Sequence, residues 1–199
     1  MKFRHAVAAD NTVTPPVLSS VTILSGRKFH SAYDMVNLYD GHILIITTVT
    51  DSAGYSMKAI TVNTSDSISD TVTIGSVVSP RTGETYGGVS LVAVNGLSSS
   101  TVELYYTAHQ KAITFGAIPQ EIRLRTFTTG GSWSSPTVLK SLVSYYSDDC
   151  LTVLKVGDNR VVSSLYYSQI RGNLVSTLVL GSRVADEWTW VEHGSLSYN

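Results

Sequence analysis

Three times along the chain an apolar run, a glycine-bearing turn and a second apolar run follow one another in the same order. Gly41 marks the first turn, Gly96 falls 55 positions later, and Gly157 a further 61. Asp40-Gly41 precedes the unbroken apolar-or-threonine run 43–49, and an Asp-Gly pair supplies the left-handed backbone that a two-residue hairpin turn needs. A run without alternation suits a strand covered on both faces. Such a strand restricts the chain to folds in which sheets stack on sheets.

Each hairpin is followed by two more strand-like stretches. The first unit continues through residues 55–62 and 70–78. The second reads 89–94, 101–108, 121–128 and 132–139; the third reads 150–156, 161–167, 173–180 and 187–193. No apolar 3.6 spacing persists over ten residues without Gly, Pro or a β-branched cluster, so almost no helix is expected. The predicted fold is all-β: three four-stranded antiparallel meanders, about 33–79, 87–143 and 149–195, in a β-propeller-like but incomplete arrangement. A two-sheet β-sandwich is the alternative; the restarting strand order favours blades. Residues 1–16, ending in Pro15-Pro16, read as an arm. Residues 17–199 read as one domain, with 17–24 a candidate outer strand that completes a blade.

Three blades are too few for a ring, since propellers typically need four to eight. A homo-oligomer or larger assembly completing the propeller is therefore expected, with one face of run 43–49 covered from outside the chain. Composition narrows the partners. Lys+Arg 14 against Asp+Glu 15 gives a formal charge of −1, and no basic, aromatic stripe points to nucleic acid. No apolar run reaches the length of a membrane-spanning helix, so no membrane insertion is expected. The first ten residues lack the apolar centre of a signal peptide, and localisation is left open between virion and extracellular settings. One cysteine, Cys150, excludes an internal disulfide and leaves the redox compartment undecided. The five histidines show no metal spacing and no cofactor motif occurs, so no metal or cofactor is predicted.

The repeats resemble those of the sialidase-like (BNR/Asp-box) propellers, whose blades carry a Ser-x-Asp-x-Gly-x-Thr-Trp turn between third and fourth strands. The corresponding segments are Thr128-Thr129-Gly130-Gly131-Ser132-Trp133, then 182–190 with Trp188 and Trp190, and 65–71, which lacks an aromatic. All three are degenerate. The resemblance implies a propeller fold and, for an enzyme of sialidase or furanosidase type, carboxylates where the inner strands begin. Asp34, Asp148 or Asp149 and Glu84 are the candidates; turn carboxylates capping strand ends are the competing reading. No three-arginine grip on a substrate carboxylate can be placed.

Tyr33, Tyr86 and Tyr146 lie just before inner strands. With Asp34 and Asp148 they form a candidate glycan-binding shelf, while rings filling space between blades are the plainer account. Thr189 puts Trp188 and Trp190 on one face of a strand, a candidate partner surface. The function expected is a non-catalytic binding or assembly module of a virion, phage tail or capsid-associated, or of a cell surface, contacting glycans or neighbouring subunits. A glycoside hydrolase and a purely structural scaffold are the alternatives.

Overall fold

The computed structural model describes residues 2–6, 18–22, 28–38, 41–51, 54–62, 72–78, 90–98, 100–109, 118–144, 150–170 and 173–197. Among them every regular element is a strand: β1 Lys2–Ala6, β2 Leu18–Thr22, β3 Lys28–Asn37, β4 Ile43–Asp51, β5 Gly54–Val62, β6 Val72–Val78, β7 Leu91–Asn95, β8 Thr101–His109, β9 Ile118–Thr128, β10 Thr137–Ser144, β11 Cys150–Val156, β12 Asn159–Ile170, β13 Asn173–Val184 and β14 Glu187–Ser197. Three antiparallel meanders follow one another, β3-β4-β5-β6, β7-β8-β9-β10 and β11-β12-β13-β14. We call them the first, second and third sheets. The strand β2, expected to complete a blade, pairs instead with β1 in a two-stranded sheet of its own.

The turns explain the register. At β11–β12 the two-residue connection Gly157-Asp158 has its glycine at φ 59°, and Val156 pairs with Asn159 across it. At β3–β4 the connection is longer than the two-residue turn expected. Leu38 N–H donates to the His42 carbonyl at 2.7 Å and Gly41 N–H to that of Leu38 at 3.1 Å. Three residues are enclosed, and Gly41, at φ 82°, takes the left-handed place that closes such a loop.

One strand lies five residues later than the sequence suggests: 132–139 was the expectation and Thr137–Ser144 is observed. Gly130, at φ 74°, turns the chain so that Trp133 returns over Phe127, ring centres 5.1 Å apart, and Ser134 N–H reaches the Thr126 carbonyl at 2.8 Å. Pro136 has no N–H to give a ladder, so pairing with β9 begins only at Thr137.

The second sheet lies between the other two. Val102, Leu104, Tyr106 and Ala108 of β8 pack with Val36, Leu44, Ile46, Met57 and Ala59 of the first sheet side. Tyr105, with Ile122 and Leu142, packs with Leu151, Val162, Tyr166 and Val179 of the third. The period-2 alternation of β8 therefore feeds two cores, and residues 102–108 are all buried. The first strand of each meander is its innermost, and β7 packs against both β3 and β11. Successive sheets connected in this order are common to propeller blades and to stacked, sandwiched sheets.

Run 43–49 departs from expectation in one respect. Leu44 and Ile46 face the second sheet, while Ile45, Thr47, Ile60 and Val62 face away from it, and all are buried within the chain. No outside cover is needed for residues 44–48.

Gly181 shows how closely the third sheet is filled. It pairs with Trp190, and a Cβ there would lie 2.5 Å from the indole Cζ3. Because Trp190 is stacked on Trp188 at 5.4 Å and 18°, it has little room to move. Gly181→Ala should lower stability by about 1–3 kcal/mol in urea unfolding; an unchanged midpoint would show that the indole yields freely.

Candidate functional site

A glutamate in the middle of a strand buried on both faces is an expensive residue unless cations meet it. Glu103 of β8 points toward the third sheet, where two arginines meet it. Arg160 Nε donates to its Oε2 at 2.7 Å and Arg183 Nη2 to its Oε1 at 2.8 Å. The Tyr105 hydroxyl adds a third donor, to Oε2 at 2.9 Å. Arg160 follows the β11–β12 turn and Arg183 precedes the β13–β14 turn, and β12 and β13 pair them directly. The local hairpins thus aim two guanidiniums at one carboxylate.

Arg160 has further acceptors. Arg160, 0 % exposed, gives Nη1 to the Asn159 carbonyl and Nη2 to that of Asn95, each at 3.0 Å. Lys155 Nζ reaches the Gly96 carbonyl at 3.4 Å. Arg183 lies over the Trp188 ring, 5.8 Å from its centre, and Trp188 meets Tyr105 edge-on at 6.2 Å. Burial, then the Glu103 charge beside it, pushes the Tyr105 phenol well above its ordinary range. Burial alone would lower the Arg183 value, but the hydrogen bond and charge of Glu103 and the neighbouring Tyr105 hold it above normal. The cluster is a clamp between the second and third sheets. Both carboxylate oxygens of Glu103 are engaged by these donors.

A second polar contact joins the same sheets nearer the outside. Lys140 Nζ of β10 meets Glu192 Oε1 at 3.0 Å, and the Tyr166 hydroxyl donates to Glu192 Oε2 at 3.2 Å. The hydrogen bond from Lys140 lowers the Glu192 carboxyl, while burial and Glu192 raise the Tyr166 phenol.

The residues singled out from the sequence fall as follows. Tyr33 is exposed, 58 %, on β3. Asp34 beside it accepts from Met35 N–H at 2.8 Å and, with its other oxygen, from Ala93 N–H of β7 at 2.7 Å. It ties the first sheet to the second. Tyr86, Glu84, Tyr146, Asp148 and Asp149 lie outside the described residues. Trp188 and Trp190 do share one face of β14, and that face is turned toward the second sheet, against Tyr105 and its neighbours. Among the described residues no three His, Cys, Asp or Glu side chains gather as metal ligands. Among the same residues no helix is long and apolar enough to cross a membrane.

The opposite face of the third sheet carries Cys150, Thr152, Leu154 and Val156 on β11, and the ladder places Val161, Leu178, Leu180, Val184, Thr189 and Val191 beside them. Leu154 is 58 % exposed, Val156 51 %, Val184 60 % and Val191 53 %. Neither this face nor the clamp was singled out from the sequence. Glu103 as the sole charge inside run 102–108 is the signal that carries the clamp, and Leu154, Val156, Leu178, Leu180 and Val184 at even positions of 150–156 and 178–184 are the signal that carries the face. Comparison with protein families, with curated proteins and with solved structures finds no match for the chain.

The clamp sets the stability of the sheet pair. Glu103→Gln leaves Arg160 and Arg183 without a countercharge and should cost about 3–5 kcal/mol in urea unfolding. Glu121→Gln, which breaks the roughly one-third-exposed pair with Arg123, should cost under about 1 kcal/mol. Equal losses from the two would contradict the assignment.

Proposed function

We propose that this chain is a non-catalytic assembly module, a component of a virion or cell-surface structure that contacts neighbouring subunits through the outward face of the third sheet. The observation that carries this reading is the exposure of Leu154, Val156, Leu178, Val184 and Val191 on one continuous sheet face. Exposed apolar residues scattered singly are ordinary on a protein surface, but a contiguous apolar sheet face costs solvation unless something covers it. Inside the chain the inner face of the first sheet and both faces of the second are covered by just such contacts.

The virion setting is supported by the Ser/Thr/Val-rich strands, the single cysteine and the three successive four-stranded sheets. Descent from sialidase-like repeats belongs to the same proposal. Its support is that Gly131-Ser132-Trp133 lies between β9 and β10, and Trp188 just past the β13–β14 turn, each at the step from third to fourth strand. Against a glycoside hydrolase weighs Asp34, whose two oxygens both accept backbone N–H groups.

In sedimentation velocity the wild-type chain should run above its single-chain mass of 21.5 kDa. The double variant Leu154→Lys/Val191→Lys should run at that mass with an unchanged circular dichroism spectrum. A wild type that runs at the single-chain mass throughout would refute the assembly reading.

A further inference from the structure

We infer that the occupant of the outward face of the third sheet is a second copy of this chain, packed face to face about a two-fold axis. The inference rests on the assembly reading above and names its partner.

The chain has two ends at which another sheet could stack, and they differ. At the first sheet the far side is closed over its central strands β4 and β5, where Ile45 is 0 % exposed and Thr47, Ile60 and Val62 are 1 % each, and only Tyr33 and Met35 of its edge strand β3 are open there. At the third sheet the far side is open. Head-to-tail stacking, with the third sheet of one copy on the first sheet of the next, needs both ends open and would generate rings or filaments. With the central strands of one end closed, the matching open four-stranded surface that a second copy offers is the same face again. A contact of a face with itself is isologous and closes at two subunits.

Charge permits the contact. Alternation along the strands puts Lys155, Arg160, Arg183 and Glu192 on the inner side, where they bond to the second sheet or, for Glu192, to Lys140 and Tyr166. The outward side keeps Glu187 and His193 on β14, at its rim, and carries no lysine or arginine among the described residues. Two copies therefore meet Leu and Val with Ser and Thr at the centre and bring no like charges together there.

Size permits it as well. Four strands about 4.8 Å apart and seven residues of about 3.3 Å rise give a face of roughly 19 by 23 Å. Two such faces have roughly 900 Å² of projected area, and corrugation by side chains takes the accessible area buried beyond the roughly 1,000 Å² a specific interface needs. The expected affinity is that of a modest dimer.

Cys150 reports on the contact without engineering, since it is exposed on the outward side of β11 and is the one cysteine of the chain. The full chain is followed by sedimentation equilibrium over a wide concentration range, and a nitroxide on Cys150 is used for pulsed dipolar spectroscopy. The mass should rise from 21.5 kDa and level off at twice that value, with one narrow interspin distance at high concentration. Leu154→Asp should weaken the association roughly a hundredfold by burying an unpaired charge. Thr189→Arg, whose site is exposed in the single chain, tests the same face where a leucine change might disturb folding. Val138→Asp, an exposed position on the second sheet, should leave the dimer intact. A mass that keeps climbing with concentration would overturn the isologous pairing and leave the assembly reading standing. A mass of 21.5 kDa throughout would overturn both. A dimer unaffected by Leu154→Asp and Thr189→Arg would overturn the choice of face.

Discussion

A carboxylate removed from water must be met by donors that are just as dry, and Glu103 has three: Arg160, Arg183 and Tyr105. The two arginines come from adjacent strands of one sheet and the glutamate from the next. A slide of the third sheet over the second by one residue, about 3.3 Å, would carry both guanidiniums out of hydrogen-bond reach and leave the carboxylate unpaired. Apolar surfaces tolerate sliding; this contact does not. It fixes the register between two sheets that Tyr105, Ile122, Val162 and Val179 would otherwise hold only by area.

The outward face follows from that orientation. Because Arg160, Val162, Ser164 and Tyr166 are turned inward, Val161 and Leu165 are turned outward, and the same parity runs through β11, β13 and β14. The tryptophans illustrate it. Trp188 and Trp190 stack, support Arg183 and close over Gly181 on the inner side, so that Thr189 and Val191 present themselves to solvent. Asp34 performs a lesser version of the same task between the first and second sheets, where its carboxylate ties β3 to a backbone N–H of β7. Polar side chains set the inter-sheet geometry here, and apolar ones fill it.

Much of this architecture is legible in the chain itself. Turn glycines at 41, 96 and 157 and apolar runs between them mark three meanders, and the bounds of β11 coincide with those expected. Local chemistry accounts for that, since turn residues and period-2 alternation act within a few positions. β10 was displaced because Trp133 is drawn back onto Phe127, a contact that strand propensity does not encode. The inward turn of the tryptophans was hidden for a related reason: alternation says that two residues share a face, and only the neighbouring sheet decides which face is inside. Glu103 gives no local signal of its role, because its partners lie 57 and 80 positions away and no short spacing announces them.

If the middle sheet is the keystone of the fold, its second strand is the part that opens last. Native-state hydrogen exchange measures that directly, strand by strand. The amides of residues 102–108, with one core on each face and the clamp at Glu103, should exchange only through global unfolding and more slowly than those of β11 and β14. Exchange of β8 at the rate of those third-sheet strands, through local opening, would contradict the account.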